Sequence, residues 1–148
     1  MSGPKTPLLI SACLLGENCK YSGGNNHCPG VDALRERYEL LPVCPERDGG
    51  LPTPRPPAER QGDRVVNCHG QDVTCQYQLG ATIALETARR HGCTRALLKE
   101  RSPSCGRGEI YDGTFTHTVV PGSGVTAQLL EEHGISVLGE RDIQKLLT

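Results

Sequence analysis

Tryptophan is absent from this chain, and aromatic residues make up only 3% of it, as four Tyr and one Phe. Surfaces that bind single-stranded nucleic acid stack bases on such rings, so a platform of that kind is poorly supplied. Cationic excess is missing too: 16 Lys and Arg face 17 Asp and Glu, a formal net charge of −1. A phosphate backbone is gripped by clustered cations, which makes nucleic acid an unexpected partner. No apolar run approaches the roughly 20 residues that span a bilayer, so no membrane partner is expected. The opening stretch from Met1 to Pro7 lacks the apolar core of a secretory leader, and a cytoplasmic protein is the expectation. There is also no Cys-x-x-Cys pair, which removes local support for a zinc ribbon or a thioredoxin-like site.

What the chain does have is cysteine, at positions 13, 19, 28, 44, 68, 75, 93 and 105. An even count suits a disulfide framework in a small secreted domain. Here 148 residues fit one domain, residues 1–148, large enough to bury a core without staples, and cytosolic thiols stay reduced. Metal binding or catalysis is the better use for some of the eight. Cys19 and Cys28 flank the turn-rich stretch Lys20 to Asn26 and read as incidental, as does Cys68 beside His69 in an exposed turn.

Three cysteines share a setting. Leu8-Leu9-Ile10 leads into Ser11-Ala12-Cys13, and Glu39 to Val43 leads into Cys44-Pro45-Glu46. Ala96-Leu97-Leu98 leads into Lys99-Glu100-Arg101-Ser102-Pro103-Ser104-Cys105-Gly106. Each time a short apolar run, readable as a buried strand, delivers a thiol at its carboxyl end. Between them the pattern predicts a weak helix over 29–38, with Pro42 awkward inside the second strand. Residues 46–57, with four prolines and two glycines, exclude regular structure and suit a stiff pocket wall. Residues 62–73 read as a small strand-turn around Cys68-His69-Gly70. The clearest helix starts near Asp72 or Thr74 and stops at Gly92, with Arg89, Arg90 and His91 favourable in its last turn. Asp112-Gly113 signals a hairpin, 125–133 a helix, 135–138 a last strand and 141–147 a terminal helical turn.

That rhythm is an α/β fold class: a single compact domain with a mostly parallel, Rossmann-like sheet flanked by helices, plus a small hairpin. Ligands of such sheets gather beyond the carboxyl ends of the strands. Cys13, Cys44 and Cys105 therefore meet at one edge, although they are 31 and 61 positions apart. Separate packing roles remain one reading of the trio. A nucleophilic Cys105 is a second, though no histidine lies near the strand ends to serve as its base. A metal site is the third. Three thiols suit zinc with water in the fourth place, or a [4Fe-4S] cluster with one iron left open. Glu46 would then stand as general base toward water, with Ser102 and Ser104 as hydrogen-bond donors to a bound group.

SACLLG at 11–16, YSGGN at 21–25, VCPE at 43–46, GGLPTPRPPAE at 49–59, LKERSPSCG at 98–106, IYDGTF at 110–115 and PGSGVTA at 121–127 resemble the thiouracil desulfidase family, in order and over nearly the whole chain. The resemblance implies a [4Fe-4S] cofactor held by Cys13, Cys44 and Cys105, with the open iron taking the sulfur of a thiocarbonyl substrate. It implies catalytic roles for Glu46, which activates water, and for Ser102, and products that are the oxo pyrimidine and hydrosulfide, without net redox change. Many relatives carry YDGGN where this chain has Ser22. The neutral charge favours a small thiolated pyrimidine as the partner, whether base, nucleoside or nucleotide. Arg55 or Arg101 would hold a phosphate or serve as a structural ion pair. A non-catalytic cluster carrier closed by a fourth ligand from Cys19 or Cys28, and a zinc-binding structural domain, are the competing functions. Nothing in the pattern sets an oligomeric state.

Overall fold

A computed structural model describes residues 5–147; the stretch Met1 to Pro4, part of the leader reading above, lies outside the described residues. The central sheet has four parallel strands in the order β2-β1-β5-β8: β1 (Thr6–Ser11), β2 (Tyr38–Val43), β5 (Arg95–Leu98) and β8 (Ser136–Gly139). Two antiparallel ribbons stand beside it, β3 (Ala58–Gln61) with β4 (Arg64–Asn67), and β6 (Glu109–Tyr111) with β7 (Val119–Pro121). The α/β class read from the sequence is the class observed.

The strand period of two explains both faces. Leu9, Ala96, Leu98 and Val137 turn to one side and pack with Ala84, Leu85 and Ala88 of α3 (Thr74–His91) and Ala127 and Leu130 of α4 (Val125–Glu132). Leu8, Ile10 and Leu97 turn to the other and meet Val31 and Leu34 of α1 (Val31–Leu34) and Ile143 and Leu146 of α5 (Ile143–Leu147). Pro42 sits inside β2, opposite Ile10, and is tolerated because β2 is an edge strand with one ladder to supply.

Helix α3 begins where Asp72 Oδ1 accepts the Thr74 amide and ends on Gly92 in the left-handed region, at φ 71°. Among the described residues, no helix is long and apolar enough to cross a membrane.

Four expectations need correction. The helix over 29–38 shrinks to the single turn of α1, because the chain must already be extended at Tyr38 to pair with Thr6. Residues 46–48, placed in the irregular segment, belong to a helical turn, α2 (Pro45–Asp48), with Pro45 at its first position and Glu46 and Asp48 at its positive end. The first ribbon turns at Gly62 rather than around Cys68, so 58–61 is strand, and residues 71–73 contribute only an isolated bridge from Asp72 to Val66. Asp112-Gly113 opens a longer loop, since Tyr111 pairs with Val119.

Candidate active site

All three strand ends arrive at the same edge. Past Ser11 the chain tightens into a 3₁₀ turn, Ala12–Leu15, that holds Cys13 half-buried. Val43 passes straight to buried Cys44, whose amide is held by Asp48 Oδ2 at 3.1 Å as α2 begins. After β5 the backbone turns sharply at Arg101, which takes φ 64°, and Ser102 closes the next turn by accepting the amides of Ser104 (3.1 Å) and Cys105 (3.0 Å). The carbonyls of Pro103 and Ser104 in turn receive the free amides of Val125, Thr126 and Ala127 at the start of α4. Gly124 makes that docking possible, because a Cβ there would lie 2.4 Å from the Ser104 carbonyl. Thus the Cys105 turn is clamped by a helix rather than left as a free loop.

The thiols sense one another. Burial raises the Cys13 thiol, an Asn26 hydrogen bond (Nδ2 to Sγ, 3.5 Å) opposes the rise, and the charge of Cys44 adds to it. Burial pushes Cys105 up to about 12, opposed by hydrogen bonds from the Ser11 and Ser104 hydroxyls, while Glu46 and Cys13 add to it. Cys44 moves the other way, lowered chiefly by its coupling to the neighbouring Cys19, whose own thiol is raised by the same coupling. Among the described residues, no group of three His, Cys, Asp or Glu side chains is drawn tightly enough to grip one metal ion. A cubane cluster spreads its thiolates over a larger body than a single ion does. The donor set fits that group: three sulfurs at one edge, with the Cys13 sulfur already receiving a hydrogen bond from the neutral Asn26 amide.

Glu46 is fixed just beside them. Its Oε2 accepts Arg55 Nε at 3.1 Å and the Tyr77 hydroxyl at 2.9 Å. Tyr77 reaches it because α2 lies directly on α3. Gly80 permits the contact, since a Cβ there would sit 1.8 Å from the Pro45 carbonyl oxygen. Burial pushes the Tyr77 hydroxyl well above its ordinary range, so it stays a neutral donor to the carboxylate. Arg55, with only 3% of its side chain exposed, also binds the carbonyls of Pro52 (3.2 Å) and Cys19 (2.8 Å) and Thr53 Oγ1 (3.1 Å).

Against these partners a family model described as 2-thiouracil desulfurase matches residues 8–142. The chain belongs to the 2-thiouracil desulfurase family. It is 38% identical over 150 residues to the uncharacterized protein YbbK of Bacillus subtilis (strain 168), covering 95% of this chain and 99% of that one. A solved structure named as the [4Fe-4S]-dependent thiouracil desulfidase TudS matches with a TM-score of 0.92 and 46% identity, over 97% of this chain and 96% of that one.

Within this desulfurase scaffold, sequence expectation and structure part company at several side chains. Ser104 does not face a substrate: it is wholly buried, sharing its hydroxyl with Thr126 Oγ1 at 2.7 Å. Arg55 is no phosphate ligand, because four of its donors are spent on the protein. Arg101 is exposed, with Nε 3.8 Å from Glu109 Oε2. Ser102, half-buried, spends its acceptor pairs on two amides and keeps its hydroxyl hydrogen to donate. The proline-rich segment does wall a cavity of about 360 Å³, through Pro52, Arg55 and Pro56, but none of the three cysteines lines it. Arg55 and Tyr77, the side chains that hold Glu46, both line that cavity. Tyr77, Asn26 and Ser11 were missed from sequence. Tyr77 is buried on α3, and its hydroxyl needs a polar partner there.

Proposed function

We propose that this protein is a [4Fe-4S]-dependent desulfidase that removes sulfur from 4-thiouracil-type bases, nucleosides or nucleotides by hydrolysis. The observation that carries the reading is the meeting of Cys13, Cys44 and Cys105 at one sheet edge with the carboxylate of Glu46, itself held by two donors. Both names printed for its relatives, the desulfurase family and the thiouracil desulfidase TudS, support it.

In this reading Cys13, Cys44 and Cys105 hold the cluster, which supplies a Lewis-acidic iron with affinity for the substrate's sulfur. Glu46 accepts a proton from water as that water attacks the thiocarbonyl carbon, so an oxygen replaces the departing sulfur. Arg55 and Tyr77 both bind one carboxylate oxygen, Oε2, which leaves Oε1 to take the proton. They position the base without touching substrate. Ser102 donates its remaining hydrogen to the heterocycle, and the closed turn behind it fixes the direction of that bond. Arg101, exposed and only loosely paired, receives the phosphate of a nucleotide substrate. The products are the oxo pyrimidine and hydrosulfide. A cytoplasmic setting, where thiols stay reduced, suits this chemistry.

The test is hydrosulfide release by anaerobically reconstituted protein from a 4-thiouracil base, nucleoside and nucleotide series. Release from at least one member, with the matching oxo product, is expected. A fully loaded protein that releases none from any of them overturns the reading in favour of a carrier. Preference for the nucleotide that disappears in Arg101→Gln would assign the phosphate to Arg101.

A further inference from the structure

Cys19 is the one thiol at the site to which desulfuration gives no work. It is 1% exposed and packs in one apolar cluster with Ala12 and Cys44, with Cys13 against it. Its backbone is pinned: the carbonyl accepts Arg55 Nη2 at 2.8 Å and also lies 3.5 Å from the Cys44 sulfur, while its amide binds the Glu17 carbonyl at 2.9 Å. The two side chains pack against each other, and the Cys44 thiol donates to the Cys19 carbonyl. Cys28, the other cysteine flanking the same loop, packs instead against the core cluster on the α1 face. The loop thus delivers one thiol to another and fixes its backbone there.

We infer that Cys19 is a resolving thiol for Cys44, and that the pair is a reversible disulfide site in the cluster-free protein exposed to hydrogen peroxide. The Cys44 sulfur attacks one peroxide oxygen, breaking the O–O bond to give a sulfenic acid and one water. The Cys19 sulfur then displaces the hydroxyl, forming the S–S bond and releasing a second water. The two sulfurs supply the two electrons, and the two thiols supply the two protons that complete the waters. A dithiol reductant reverses the bond by exchange. Without Cys19, the sulfenic acid has no buried thiol packed against it, and a second hydrogen peroxide transfers an oxygen to it, giving the sulfinic acid and water, a state thiols do not restore. The consequence, an anchor withheld from cluster insertion until it is reduced, rests on the function proposed above; the disulfide does not.

The experiment uses full-length protein stripped of iron by an anaerobic chelator, treated with hydrogen peroxide, alkylated and digested with trypsin. The expected product links the peptide Thr6–Lys20, which carries Cys13 and Cys19, to Tyr38–Arg47, which carries Cys44. The link disappears with dithiothreitol and is absent from both Cys19→Ser and Cys19→Ala. In those variants Cys44 accumulates as sulfinic acid, and iron uptake after dithiothreitol falls several-fold below that of the parent. Before oxidation both variants take up iron as the parent does. A link that survives in the Cys19 variants and vanishes in Cys13→Ser, equal sulfinic acid with and without Cys19, or failure of both unoxidised variants to take up iron each overturns the inference. The link is read in metal-free protein without substrate, so it is scored separately from hydrosulfide release.

Discussion

Between β1 and β5 the sheet is packed by Leu8, Leu9, Ile10, Ala96, Leu97 and Leu98, with apolar helical neighbours on both faces. One step beyond their carboxyl ends the character reverses. Ser11, Arg55, Ser104 and Thr126 are all buried there, and among the described residues no buried side-chain nitrogen or oxygen lacks a hydrogen-bond partner. The sheet interior is stabilised by area removed from water, roughly 1.5–3 kcal/mol for each large side chain fully buried. The edge is stabilised by mutual satisfaction, in which every polar group needs its neighbour. The difference teaches where substitutions act: interior changes lower stability and spare chemistry, while edge changes remove chemistry first.

Predictions can break that comparison, starting with the largest effect. Ala at Cys13, Cys44 or Cys105 should abolish stable cluster binding, read as iron and acid-labile sulfide after reconstitution; retention of both in any single variant would remove that residue from the anchor set. Glu46→Gln should lower hydrosulfide release by about 10²–10⁴-fold with iron content unchanged. Gln is the informative replacement. Glu46→Ala would strand the buried Arg55 guanidinium at a cost of about 3–5 kcal/mol, so lost activity there would be confounded with lost fold. In the interior, Leu97→Ala should cost about 2–5 kcal/mol in denaturant unfolding, yet keep iron per folded chain. A loss of iron at full stability would show that interior and edge are not separable. Tyr77→Phe removes one donor from the carboxylate and should cost about 0.5–1.5 kcal/mol in the barrier, a fall in kcat of about tenfold or less with KM nearly constant. Smallest of all, Cys68→Ala, at an exposed turn, should leave iron content and turnover as they are.

The same contrast explains what the sequence disclosed. The interior was legible because strand alternation and the helical stripe of α3 follow from apolar burial alone, and burial leaves a period in the sequence. The three thiols were legible for a related reason: each follows an apolar run, and a parallel sheet brings carboxyl ends together. The partners at the edge were not. Asn26 reaches Cys13 from a loop, Arg55 reaches Glu46 across nine positions and Tyr77 does so across 31, contacts that no periodicity records. Ser104 illustrates the cost of reading type without place. A serine beside a cysteine in a polar turn suggested a donor to substrate, whereas helix α4 covers it and directs its hydroxyl inward. The iron–sulfur assignment came from the family resemblance; spacing alone left zinc open.

The most direct test of the account is the iron, acid-labile sulfide and zinc content of the anaerobically purified and reconstituted chain. Iron and sulfide are expected in equal amounts, at the ratio of one [4Fe-4S] cluster per chain, with no stoichiometric zinc. Zinc bound without acid-labile sulfide would contradict it.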